Sequence, residues 1–126
     1  MNTTPTNPKL LPKPVRGDVF EAALDPTKGS EQAGTRPVIV VSRDSINANS
    51  PVVVVVPTTD AQNVKKQYPS QVFLAKQCGG LTKDSVAKGE QIRAIEVSRF
   101  TNYYGRLDAT QMAKIDTAIK TTLFLK

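Results

Sequence analysis

The chain predicts an α+β fold that is mainly β: a small, strongly bent antiparallel sheet forming a partly open barrel, followed by one C-terminal helix. Three observations predict it. Short β-branched runs recur between turn residues from residue 18 to residue 95, a run of five valines at 52–56 stands between two prolines, and a sustained helical period begins only after Asp108. The 126 residues suffice for one domain with its own core and are too few for two of ordinary size.

The elements follow in order. Residues 1–15 hold Pro5, Pro8, Pro12 and Pro14 among Thr, Asn and Lys, which removes backbone donors and offers little to bury. They are expected to be a disordered arm, leaving 16–126 as the single domain. Strands are predicted over 18–24, 38–42 and 51–57. The unbroken valine run in the third predicts burial on both faces, because β-branched side chains favour a pleated strand over a helix. Residues 71–75, and a pair spanning 85–88 and 90–95, complete the sheet, with Gly79-Gly80 and Gly89 at turns or bulges. A short helical turn is expected over 97–101.

The helix has three agreeing start signals. Asp108 suits the N-cap, Gln111 stands three residues on where a capping-box partner belongs, and Leu107 with Met112 occupies the hydrophobic-staple positions. Met112, Ile115, Ile119 and Leu123 then share one face, which is expected to cover the sheet.

Composition excludes several chemistries. The chain has no histidine, so a paired-imidazole ribonuclease, a Ser-His-Asp triad and a Cys-His nucleophile are all ruled out within it. Cys78 is the only cysteine: no intrachain disulfide can form, nothing demands an oxidising compartment, and no usual zinc-ligand set exists. A magnesium site built from Asp18, Asp25 and Glu31 has no specific support in their spacing. No cofactor or metal is therefore expected. The net charge of +6 favours an anionic partner such as nucleic acid. The longest apolar run, 52–56, is far below the roughly 20 residues of a spanning helix, and the first fifteen residues lack the apolar core of a signal peptide. A cytoplasmic protein with no membrane partner is expected.

The segment Asp25-Pro26-Thr27-Lys28-Gly29-Ser30-Glu31-Gln32-Ala33-Gly34-Thr35-Arg36-Pro37 runs into an aliphatic strand. Hairpins are most often closed by two to five residues, and a longer polar loop that sets an acid and a guanidinium beside a strand start is of the kind that carries function. It can equally be a solvated hairpin tip. With Arg16-Gly17-Asp18-Val19 before it, Pro57-Thr58-Thr59 at the end of the next long strand and Glu90-Gln91-Ile92-Arg93 further on, the ordered set resembles the MazF/PemK family of toxin endoribonucleases. The likeness runs from about Arg16 to Leu125.

The resemblance implies an SH3-like barrel of the CcdB/MazF type, a homodimer, cleavage of single-stranded RNA, and neutralisation by a cognate antitoxin whose acidic segment crosses the active surface. It also implies a toxin–antitoxin complex that binds DNA. RNA supplies its own nucleophile, the 2′-hydroxyl, so positioning and electrostatics can provide much of the rate. Arg36 is the first catalytic candidate, because its planar fork matches phosphate oxygens; a guanidinium is a poor general base, so charge stabilisation is its role. Thr59 is the second, at the family's Ser/Thr position, with a hydroxyl to donate to the scissile phosphate; alternatively Thr58 and Thr59 only end a β-rich strand. Glu31 is a candidate to accept the 2′-hydroxyl proton or to orient Arg36, or is an exposed loop carboxylate.

Ser30, Gln32, Thr58, Lys65, Gln91 and Arg93 are candidates for the RNA path, since amides and hydroxyls read base edges and cations grip phosphates. Gln91 and Arg93, at i and i+2, are expected on one face of a strand. For Lys65 a solvated loop is the simpler reading, and Tyr68, Tyr103 and Tyr104 read as partial core rather than stacking platforms. A competing function is a non-enzymatic, gyrase-directed toxin of the CcdB type. Those proteins resemble one another in a C-terminal tryptophan-bearing contact surface, and this chain has no tryptophan. An inactive nucleic-acid-binding relative is the third alternative.

Overall fold

The valine run lies in the central strand of the sheet, and the rest of the fold is arranged around it. A computed structural model describes residues 11–126. In chain order the elements are β1 (Asp18–Ala23), β2 (Thr35–Val40), α1 (Asp44–Asn49), β3 (Val52–Asp60), β4 (Gln71–Leu74), β5 (Ser85–Lys88), β6 (Arg93–Glu96), β7 (Phe100–Arg106) and α2 (Ala109–Leu123). The sheet runs β4-β5-β3-β2-β1-β7, all antiparallel. β3 bends: its first half, Val52 to Val55, pairs with β6, and Thr58 to Asp60 pair with β5 on the same edge. The two segments on either side of Gly89 both join the sheet, each pairing with β3 rather than with the other.

Alternation along the strands feeds two cores. Val19, Ile39, Val41 and Val56 point into a cluster with Leu74, Leu81, Leu107 and the helix residues Met112, Ile115 and Ala118. Phe20, Leu24, Val38, Val40, Val53 and Val55 point the other way, against Ile95 and Phe100, with the Phe20 and Phe100 rings stacked at 4.3 Å. Continuous apolar runs therefore suit a sheet covered on both faces. In the valine run this holds for Val53, Val55 and Val56, whereas Val54 is half-buried and Val52 is 40% exposed at the start of the strand, before β2 pairing begins.

The barrel is closed by a turn rather than by a strand pair. The 3-10 turn Cys78–Gly80 lies against β7 so closely that a Cβ on Gly80 would stand 2.1 Å from the Tyr104 carbonyl oxygen, and its φ of +80° is itself a glycine conformation. This contact needs β7, a strand that the sequence pattern does not reveal: Thr101, Asn102 and Gly105 dilute its apolar alternation, and its register with β1 slips at two places. The short α1 is likewise absent from the sequence expectations. It lacks a side-chain cap at Arg43, but Asn47 anchors it by donating to the Ser42 carbonyl at 2.8 Å.

The predicted capping box forms, with Asp108 accepting from the Gln111 amide and Gln111 reaching back to the Asp108 amide, and Leu107 and Met112 join one cluster. The covering face of α2 is Met112, Ile115 and Ala118, with Ile119 half-buried. Leu123 is 49% exposed, because the last turn runs past the sheet. The helical turn after β6 is present at Val97–Arg99.

The expected arm, 1–15, has its first ten residues outside those described. From Leu11 the chain rests on the fold: Leu11 packs against the second cluster, and the Val15 amide donates to Asp18 Oδ2 at 2.8 Å. Apolar contact at Leu11 thus moves the start of packed chain ahead of Arg16. Among the described residues no helix is long and apolar enough to cross a membrane.

Candidate active site

Arg36 enters β2 one residue after its start, opposite Ala22 of β1. Its guanidinium is tied by two carbonyls: Nε donates to Ala33 at 2.8 Å and Nη1 to Thr58 at 3.1 Å. Nη2 and the second Nη1 hydrogen have no partner among the described residues. The cation is thereby held in a cleft of about 420 Å³, walled by Glu21, Thr58, Thr59, Asp60, Lys83 and Tyr104 among others.

Thr58 and Thr59 lie within β3, which continues through them to pair with β5 at Ala87 and Val86. Their hydroxyls have different fates. Thr58, 1% exposed, donates to the Pro37 carbonyl at 2.9 Å and so joins β3 to β2 where proline supplies no N–H. Thr59, 8% exposed, has no hydrogen-bond partner among the described residues and lines the cleft beside Arg36. One threonine hydroxyl serves the sheet, and the other is unengaged among the described residues.

The loop before β2 is shaped by its own backbone and by β6 and the turns around it. The Lys28 amide donates to Glu31 Oε1 at 2.8 Å, and the Gly34 amide to Asp25 Oδ1 at 3.2 Å. Glu31 is exposed and makes no ion pair with Arg36; backbone carbonyls, not this carboxylate, orient the guanidinium. Gln91 reaches across to the loop, accepting from the Gln32 amide and donating to the Ser30 carbonyl, each at 3.4 Å. It sits in the turn Gly89–Gln91, whereas Arg93 opens β6, so the two do not share a strand face. Arg93 donates to the Leu24 carbonyl at 3.4 Å and Arg99 to the Asp25 carbonyl at 2.6 Å, bracing the base of the loop. Lys65 is exposed in the segment after Ala61–Asn63 and does not line the cleft.

Two cleft residues, Glu21 and Tyr104, are not among those that sequence reasoning selects. Each belongs to the cleft wall, and the Tyr104 hydroxyl donates to Glu21 Oε2 at 3.1 Å. A signal for Glu21 does exist: it is the one charged residue inside the apolar strand Asp18–Ala23 after its first position. Tyr104 lies on β7, which lacks a clear strand pattern. The carboxylates considered for magnesium do not converge: buried Asp18 accepts from Arg106 Nε at 2.8 Å, and no three histidine, cysteine or carboxylate side chains form a metal-holding group among the described residues.

Comparison with known proteins agrees with this architecture. The sequence profile of the PemK-like, MazF-like toxins of type II toxin–antitoxin systems matches residues 15–123. The chain is 41% identical over 115 residues to endoribonuclease MazF9 of Mycobacterium tuberculosis, covering 87% of this chain and 96% of that one. It is 42% identical over 110 residues to endoribonuclease EndoA of Bacillus subtilis, covering 87% and 94%. A mycobacterial endoribonuclease solved with its cognate antitoxin superposes with a TM-score of 0.73 at 26% identity, over 90% of this chain and 97% of that one. MazF of Deinococcus radiodurans shares the fold at a TM-score of 0.75 and 24% identity, over 89% and 97%. Because the profile spans nearly the whole domain and these relatives align almost end to end, the chain belongs to the PemK-like, MazF-like toxin family.

Proposed function

We propose that this chain is a sequence-specific endoribonuclease that cleaves single-stranded RNA without a metal ion, as the homodimeric toxin of a pair held in check by a cognate antitoxin. The observation that carries the reading is Arg36, tethered by two carbonyls beside the unengaged Thr59 hydroxyl, in a family whose curated relatives are endoribonucleases. The net charge of +6 suits both an RNA and an acidic antitoxin segment. Of the structural relatives, one mycobacterial endoribonuclease is itself bound to its antitoxin.

The chemistry follows from what RNA brings. The 2′-oxygen attacks the adjacent phosphorus, forming the 2′-O–P bond while the bond from phosphorus to the 5′-oxygen breaks. The 2′-hydroxyl loses its proton and the departing 5′-oxygen gains one. Charge builds on the two non-bridging oxygens, where the free N–H groups of Arg36 and the Thr59 hydroxyl donate. A fixed fork needs little reorganisation as that charge develops. Glu31, an exposed carboxylate of the loop that leads into Arg36, is the candidate acceptor of the 2′-proton. Ser30, Gln32 and Gln91, joined by hydrogen bonds, are the candidate contacts for unpaired nucleotides.

The test is incubation of the protein and its Arg36→Ala variant with long mixed-sequence RNA in chelator, with mapping of cut sites and ends. Discrete cuts carrying 5′-hydroxyl and 2′,3′-cyclic phosphate ends, lost in the variant, are expected, and 2′-deoxyribose at the cut should block it. A folded protein that leaves RNA intact, or requires a divalent ion, overturns the reading.

A further inference from the structure

In the same cleft as Arg36 and Thr59 stands a carboxylate with no part in the chemistry above. Glu21 is half-buried on β1, and its carboxylate is fixed by three neutral donors from β7: Thr101 Oγ1 at 3.2 Å and Asn102 Nδ2 at 2.9 Å to Oε1, and the Tyr104 hydroxyl at 3.1 Å to Oε2. No cation pairs with it among the described residues. The other carboxylate of the cleft, Asp60, is matched by Lys83 at 3.6 Å and caps the Gln62 amide at 2.9 Å. Three neutral bonds orient Glu21 without neutralising it.

An ionised carboxylate offers about four acceptor positions, so Oε2 retains one. Tyr104 spends its only hydrogen on Glu21, so its hydroxyl oxygen can only accept from anything else in the cleft. Burial first, then the charge of Glu21 and the shared hydrogen bond, raise the Tyr104 pKa, so the phenol stays protonated at neutral pH. The outcome is two neighbouring oxygens that accept and do not donate, on the wall of a cleft that binds an anion. A phosphate is repelled there. Uracil sets a lone N–H between two carbonyl oxygens, which clash with such a pair, whereas adenine, cytosine and guanine present an exocyclic amino group on their Watson–Crick edge.

We propose that Glu21 and Tyr104 form a nucleobase subsite that accepts hydrogen bonds from the amino group of adenine, cytosine or guanine and rejects uracil, setting one position of the cleavage sequence. It rests on the endoribonuclease reading. Discrimination of about tenfold or more at that position follows from an acceptor pair that uracil leaves unmatched.

The experiment is cut-site sequencing of a random single-stranded RNA library with the parent, Glu21→Gln and Tyr104→Phe. The parent is expected to disfavour uracil about tenfold at one defined position. Both variants should flatten that preference while the other positions keep theirs, Glu21→Gln most strongly because its amide can donate to a uracil carbonyl. At the same position, inosine for guanosine or purine riboside for adenosine should slow the parent and not the variants. Tyr104→Phe removes one oxygen and keeps the ring, so it decides the matter if Glu21→Gln does not fold. Unchanged base frequencies in a cleaving variant, or a parent with no uracil-poor position, overturn the subsite alone. A parent that cuts no RNA overturns the endoribonuclease reading and the subsite with it.

Discussion

Replacing Arg36 by lysine keeps the positive charge and removes the fork, and so separates geometry from charge. In the parent, Nε and Nη1 of the guanidinium are tied to the Ala33 and Thr58 carbonyls at 2.8 and 3.1 Å, and the Nη2 hydrogens with the second Nη1 hydrogen are left for substrate. Lysine carries its donors on a single nitrogen. If Nζ stays at the Thr58 carbonyl it cannot also span to a phosphate in a fixed direction; if it moves to the phosphate, both carbonyl tethers are lost. Loss of one preorganised transition-state donor typically slows a reaction about 10²–10³-fold, so a fall of about 100-fold or more is expected in the chemical step. Stability should change by only about 1 kcal/mol, because Arg36 is half-exposed and one carbonyl can still be served. Single-turnover cleavage of a synthetic RNA with one mapped site, with enzyme in excess, isolates that step, and a denaturant midpoint measured alongside controls for folding. A variant that cleaves within about threefold of the parent would mean that charge alone suffices and that the fork argument is wrong.

Thr59→Val conserves shape in β3 and deletes only the free hydroxyl; single-turnover cleavage should drop by about 10²-fold with the fold retained, while Thr59→Ser should stay within about tenfold of the parent. Equal loss in both variants would point to packing rather than donation. Asp44 contributes to the pH dependence of stability: the Arg16 amide first, then the Asn47 side chain, lower its pKa below the ordinary aspartate value. A lowered pKa in the folded state gives stability that is present above the unfolded value and lost as pH falls through the folded one, so the advantage of the parent over Asp44→Asn should shrink as the pH is taken below the ordinary aspartate range. Denaturant midpoints measured from neutral to acid pH check it, and a constant gap would exclude the carboxylate as its source.

Elements specified by neighbouring residues are legible in the chain itself. The capping box at Asp108 and Gln111, the turn-bounded valine strand, and the loop motif ending in Arg36 all act over a few residues, and chain order carries that information. Gln91 reaching from its turn to Ser30 and Gln32 is half-legible: the residue stands out, but its direction is set by a loop 59 to 61 residues away along the chain. β7 is hidden because its stability comes from β1 and from the glycine turn at Gly80, not from its own pattern.

Residue order alone thus establishes one basic, histidine-free, mainly β domain with a capped C-terminal helix and the ordered motifs of its family. Which threonine hydroxyl is free, what holds Arg36, and that Glu21 meets Tyr104 in the same cleft emerge only when the strands are paired. Each depends on a hydrogen bond between segments about 20 to 80 residues apart, such as Thr58 to Pro37 or Tyr104 to Glu21. Strand register sets those partners, and register is a property of the paired sheet rather than of any one strand.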